Sequence, residues 1–182
     1  MKDKTRKKMT AAAVSRKEIG QGCFFMFLDG DDILLPNLFS EVRGRVTDGD
    51  IVLRSGYMVD ESTKAVAKIA PPNSSFYKVC GSCFVSKVTP SDIPMTADDR
   101  TAFVANLIDH TKFIEVSTRH KRDCVYLDDP FAVYYVGHGS NDHTIRGATP
   151  YIADLLKRGA VETDEANSVL SLITAMKPKS AI

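Results

Sequence analysis

Three carboxylates fall within four residues: Asp29, Asp31 and Asp32, with Gly30 between the first two. Like charges this close repel, and one of them is driven to protonate unless a cation sits beside it. Oxygen-rich groups of this kind suit Mg²⁺ or Mn²⁺, which bind a few carboxylates together with substrate phosphates. The six residues before the cluster, Cys23 to Leu28, are all apolar, the pattern of a short buried strand covered on both faces. An acidic tip at the carboxyl end of such a strand lies where open α/β sheets bind their ligands. Gly30 lets a ligand come close to the backbone. The plain structural alternative is an Asp-rich turn that caps the helix after it.

Other chemistry-bearing residues are sparser. Asp98 and Asp99 precede a stretch, Arg100 to Ile108, that reads as a helix, and either can serve as its N-cap. Cys80 and Cys83 form a C-x-x-C pair. Zinc needs two more ligands at suitable spacing, and His138 and His143 lie more than fifty residues further on. On a strand, positions three apart point to opposite faces. Cys23 and Cys124 read as core residues. Residues 1 to 20 hold seven Lys or Arg against Asp3 and Glu18. Such an arm fits a solvated helix face, a contact to phosphates or an anionic membrane, or a targeting peptide.

The elements that must position these residues alternate along the chain. Met9 to Ile19 is a helix stopped by Gly20. After the Cys23–Leu28 strand, Leu34 to Val46 reads as a helix with Pro36 near its first turn. Ile51 to Val59 is a strand, with Lys64 to Ile69 as its hairpin partner across Asp60 to Thr63. Phe76 to Lys87 holds one or two strands around Gly81, and Thr89 to Ala97 is a loop. Phe113 to Val116, Cys124 to Leu127 and Phe131 to Val136 are strands. Tyr151 to Arg158 and Glu162 to Met176 are helices. This order predicts an α/β domain with a twisted mixed sheet.

Composition bounds the rest. The chain has 182 residues, 43% hydrophobic and 26% charged, ordinary values for a globular protein large enough to build a core without staples. Its net charge of +1 argues against a dedicated nucleic-acid binder. The six-residue apolar run is too short to span a bilayer, so no transmembrane segment is expected. Four cysteines without framework spacing suit a reducing compartment, and the cytoplasm is the expected location.

Several segments together resemble the GT-A fold glycosyltransferases, family 2 in particular. The apolar strand Phe24 to Leu28, the acidic group Asp29-Gly30-Asp31-Asp32, the apolar Ile33 to Leu35 and then Pro36 and a helix follow that family's Asp-x-Asp region. Asp50 to Asp60 is similar to its next strand pair, and Cys80 to Lys87 to its acceptor-side strand. Ala97 to Phe103 stands where the family carries a Glu-Asp pair at a helix start. Asp129 to Tyr135, followed by His138-Gly139-Ser140, resembles its late strand and loop. The likeness covers about residues 5 to 145. It lacks the nucleotide-binding strands that precede the Asp-x-Asp strand in the family.

The resemblance implies a mixed α/β sheet flanked by helices: a partial GT-A-like catalytic domain over residues 1-150 and a C-terminal helical extension over 151-182. It implies a metal-dependent glycosyltransferase that moves a sugar from a nucleotide-sugar donor to the hydroxyl of a saccharide, lipid or protein acceptor, with inversion. Asp29 and Asp31 would hold Mn²⁺ or Mg²⁺ and the donor's ribose and diphosphate, with Asp32 and His138 as further metal ligands; His143 competes with His138. Asp99, with Asp98 beside it, would be the general base.

Two other readings stand beside this one. The strand and Asp29-Gly30-Asp31-Asp32 loosely resemble haloacid-dehalogenase-like phosphatases. There Asp29 would be the nucleophile, Asp31 the acid/base, Ser55 the end of the second motif, Lys87 the lysine, and Asp128 and Asp129 the late acidic pair. The other is a non-catalytic remnant of a glycosyltransferase fold.

Overall fold

The computed structural model describes residues 2–18, 22–45, 49–137 and 149–176. It is a mixed α/β fold with two four-stranded mixed sheets flanked by helices. The first sheet is made of β1 (Cys23–Met26), β3 (Asp50–Leu53), β6 (Phe84–Val88) and β7 (Cys124–Leu127), in the order β1-β6-β3-β7. β6 runs antiparallel to both neighbours, and β3 and β7 are parallel. The second sheet holds β2 (Ile33–Leu34), β4 (Gly56–Asp60), β5 (Val66–Ile69) and β8 (Ala132–Val136), in the order β2-β8-β4-β5. β8 and β4 are parallel, and β2 and β5 pair antiparallel at the two sides.

The expected strand Ile51–Val59 is thus two strands in two sheets. The chain crosses between them at Arg54 and Ser55, where the Arg54 N–H donates to the Leu127 carbonyl (2.9 Å) and the Phe76 N–H donates to the Arg54 carbonyl (2.9 Å). Phe76 is fully buried there, and its ring lies against Gly56 so closely that a Cβ would sit 2.4 Å from it. The break Arg54-Ser55-Gly56 between the apolar runs Ile51 to Leu53 and Tyr57 to Val59 marks the crossing, and both halves are buried.

The helices are α1 (Lys2–Ser15), α2 (Leu38–Arg45), α3 (Phe113–Arg119), α4 (Thr149–Arg158) and α5 (Thr163–Met176). One core cluster joins both sheets, with Ile51, Leu53, Phe84 and Leu127 from the first and Met58 and Tyr134 from the second, and takes in Leu38, Val42, Ile152 and Leu155 from the helices. The alternate residues Tyr57, Val59, Val133 and Tyr135 face the other way and pack on Val169 and Ile173 of α5. The Tyr57 hydroxyl donates to Glu165 Oε1 at 2.7 Å, tying α5 to β4. The C-terminal helices therefore lie directly on the second sheet.

Several local expectations are corrected. Leu34 closes β2, so the helix expected from Leu34 begins only at Leu38, and Phe76–Lys78 is a 3-10 helix rather than strand. Phe113 to Val116 is the start of a helix, not a strand. Phe113 and Val116 are spaced for one helical face, and Glu115 pairs with Arg119 one turn later; four apolar-rich residues do not discriminate the two periods. Arg100 to Ile108 is a series of turns with one short 3-10 helix, Val104–Leu107, not an α-helix. Ala102 to Ala105 is buried on every side, so packing rather than a helical period shapes it. Cys23 to Leu28 is not covered on both faces: β1 is an edge strand bonded to β6 alone among the described residues, with Phe24 and Leu28 exposed.

Candidate functional site

β1 delivers the chain to the acidic group. After Phe27 and Leu28 a turn closes from Asp29 to Asp32, where the Asp32 N–H donates to the Asp29 carbonyl (3.0 Å). Asp at the first position and Gly inside suit such a turn. The Asp29 N–H donates to Ser82 Oγ (2.8 Å), which fastens the turn to the segment before β6. Gly81 makes that approach feasible, since a Cβ there would stand 2.6 Å from Asp29 Oδ2.

The two carboxylates flanking the turn have opposite environments. Asp29 Oδ1 lies 2.8 Å from Lys8 Nζ and Oδ2 lies 3.1 Å from Lys4 Nζ. Lys4 and Lys8 are one turn apart and so share a face of α1, which is pinned by the buried Met9 and Ala12. Burial of Asp29 opposes its ionisation, but the hydrogen bond and charge of Lys8, and then those of Lys4, outweigh it and hold the carboxyl below its usual value. Asp32 is buried. Burial pushes its pKa up to about 6; Ser82 and the Cys80 thiol offset part of this, and the charges of Asp31 and Asp29 add to it. Its Oδ2 accepts from Cys80 Sγ at 3.3 Å, and its Oδ1 has no hydrogen-bond partner among the described residues.

Cys80 and Cys83 are both buried, and burial together with the charge of Asp32 raises both thiols well above their usual value. They are protonated core thiols of low reactivity. His110 also belongs to this neighbourhood. Burial lowers its pKa, against the opposing pull of the Lys78 backbone and of Asp109, and the charges of Lys8 and Asp29 reach it.

A groove of about 470 Å³ runs between α1 and β1 and ends at the turn. Its charged lining is Lys4, Lys7, Lys8 and Asp29, and its apolar wall includes Phe25 and Phe27, whose rings meet edge to face at 5.0 Å. Lys8 Nζ lies 5.4 Å from the centre of the Phe27 ring.

The structure thus brings Asp29 and Asp32 to one corner, with Asp31 half-buried on the turn between them. It gives the remaining expected residues other settings. Asp99 Oδ1 accepts from the Thr101 N–H (3.0 Å) and hydroxyl (2.7 Å), and Oδ2 from the Met95 N–H (3.1 Å). These bonds, that of the Thr101 hydroxyl foremost, lower its pKa to about 2. Asp99 is a turn-holding carboxylate and a weak base as it stands. Asp98 beside it is exposed. His138 and His143 lie outside the described residues. Asp128 is exposed and paired with Arg54 at 2.7 Å.

No group of three or more His, Cys, Asp or Glu side chains among the described residues is arranged to hold a metal ion. More to the point, both oxygens of Asp29 are engaged by ammonium groups at the place where the resemblance puts a divalent ion. A metal there would compete with Lys8 and Lys4 for those oxygens, so the donor set as arranged suits one poorly. The reading from sequence missed Lys4, Lys8, Gly81, Ser82 and His110. The one available signal was the i, i+4 lysine pair in a basic arm. No helix among the described residues is long and apolar enough to cross a membrane.

No family model, no curated protein and no solved structure matches the chain. The mixed α/β architecture and the geometry of the corner are therefore the grounds for assigning a function.

Proposed function

We propose that the chain is a glycosyltransferase-like protein that receives the diphosphate of a nucleotide-sugar donor at the corner formed by Asp29, Gly30 and Asp31. The observation that carries this reading is the groove itself. It is apolar and aromatic along one wall, carries lysines along the other, and opens beside an acidic turn at the carboxyl end of a strand. An anion with a flat apolar portion matches those walls. The order of segments supports the same reading, since the strand with the acidic tip is followed by a short helix and a strand pair as the resemblance implies.

The part played by each residue follows from its setting. Asp29, held ionised, fixes the ammonium groups of α1. The turn is open at Gly30, where a Cβ would meet nothing within 4 Å. Deprotonation of an acceptor hydroxyl belongs to Asp98 and Asp99 only as the resemblance implies. A carboxylate held at about 2 must first give up its turn bonds to act as a base at neutral pH. The phosphatase reading asks Asp29 to attack phosphorus with an oxygen that already binds a lysine, and the geometry favours it less.

Calorimetric titration with UDP and with GDP tests the proposal. Saturable binding of one of them, competed by its sugar conjugate, is the expected result. Absence of heat with either, from a chain shown to be folded and with or without Mn²⁺, removes the transferase reading and favours the remnant.

A further inference from the structure

We infer that the diphosphate at this corner is neutralised by the ammonium groups of Lys4, Lys7 and Lys8, so that its binding requires no divalent ion. The inference rests on the transferase reading and names the counter-charge of that same site.

Charge balance is the first reason. Lys4, Lys7, Lys8 and Asp29 line the groove, with Asp31 half-buried on the adjoining turn, so the ammonium groups at this corner at least match the carboxylates lining it and next to it. A phosphate can accept from ammonium donors that Asp29 leaves, with no further cation. Geometry is the second. Asp29 grips Lys8 at 2.8 Å and Lys4 at 3.1 Å, which fixes the two ammonium groups one helical turn apart. A lysine ammonium has three donors, so a carboxylate and a phosphate can share it. Donors ordered in advance cost less to order again on binding. Burial is the third. The Lys8 side chain is only 14% exposed, so its charge acts through less water than a surface lysine's does. The wall of Phe25, Met26 and Phe27 lowers the local polarity further.

Fixed cations facing a diphosphate perform the charge stabilisation for which many phosphate-handling sites use a metal. Asp29 is then a positioning residue for α1, and the acidic turn and the basic arm, read separately in the sequence, form one device.

The test is calorimetry with UDP, GDP and inorganic pyrophosphate, in EDTA and again in Mn²⁺, on the wild type, Lys4→Ala/Lys7→Ala, Lys8→Met and the charge-keeping Lys4→Arg/Lys7→Arg. Circular dichroism confirms that each variant is folded. The nucleotide that binds should do so in EDTA within about twofold of its affinity in Mn²⁺. Each lysine removed should weaken it by about tenfold, the size of a charge-assisted hydrogen bond, and the arginine variant should retain it. Because Lys4 and Lys7 are exposed, their double variant keeps the test open if Lys8→Met does not fold. Binding that vanishes in EDTA, or that survives loss of the lysines, overturns the inference while leaving the transferase reading intact. No binding under any condition removes the reading on which it rests.

Discussion

Two buried aspartates in this chain are solved in opposite ways. Asp50, at the start of β3, has no exposed side-chain surface, and every one of its demands is met. Arg122 Nε lies 3.0 Å from both oxygens, Nη2 lies 2.9 Å from Oδ1, and Ser86 Oγ donates to the same oxygen. The guanidinium in turn stacks 4.6 Å over Phe103 and donates to the Ser86 hydroxyl and the Lys87 carbonyl. Asp32, also buried, has the Cys80 thiol at Oδ2 and the help of Ser82, and its Oδ1 has no hydrogen-bond partner among the described residues. A saturated buried ion pair is structural, because nothing is left for a ligand to do. An unsaturated carboxylate beside a lysine-bridged one is a cost the fold carries without visible return, and such costs gather at functional sites.

The contrast can be broken most forcefully at Asp50. Arg122→Ala strands a fully buried carboxylate and should cost about 3–5 kcal/mol, read as a lower midpoint in urea unfolding. A loss under about 1 kcal/mol would place the pair among ordinary surface bridges and dissolve the comparison.

Asp32 should respond with the opposite sign and a smaller effect. Its pKa is raised from 3.8 to about 6 on folding. The folded state therefore holds the proton more tightly, and the stability tied to that proton is full below about pH 4 and lost as pH rises through about 6. Asp32→Asn, neutral throughout, should match wild type near pH 4. It should exceed wild type by about 2–3 kcal/mol at pH 7, since each pKa unit corresponds to about 1.4 kcal/mol. Thermal melts across pH 4 to 8 read this directly. A variant that is less stable at pH 7 would mean that the ionised carboxylate has a partner at Oδ1.

How much of this could be read from the residues depends on range. The acidic turn, the hairpin of β4 and β5, the strands at Cys124 and Ala132 and both C-terminal helices follow from local pattern and turn chemistry. The crossing at Arg54 and Ser55 does not, because the Arg54-Ser55-Gly56 break says only that the strand is interrupted and not that its halves join different sheets. The edge position of β1 was likewise hidden, since apolar composition reports burial and not which neighbour supplies it. At the site, Asp29, Asp31 and Asp32 stood out as a group of like charges, and the structure sets Asp29 apart from Asp32. What differentiates them comes from residues far along the chain, Lys4 and Lys8 on one side and Cys80 and Ser82 on the other. No spacing rule links those positions. Asp99 illustrates the reverse case: the acidic pair was legible, but only the turn bonds to Met95 and Thr101 show a carboxylate already engaged.

The most direct test of the central claim, that the corner between α1 and the Asp29 turn is an anion site, is a UDP titration in EDTA followed residue by residue in ¹H–¹⁵N spectra. Saturable shifts are expected on Lys4 to Lys8 and on Phe27 to Gly30, with the amides around Asp50 and Arg122 unmoved. Shifts that appear only when Mn²⁺ is added, or that gather away from α1, would contradict it.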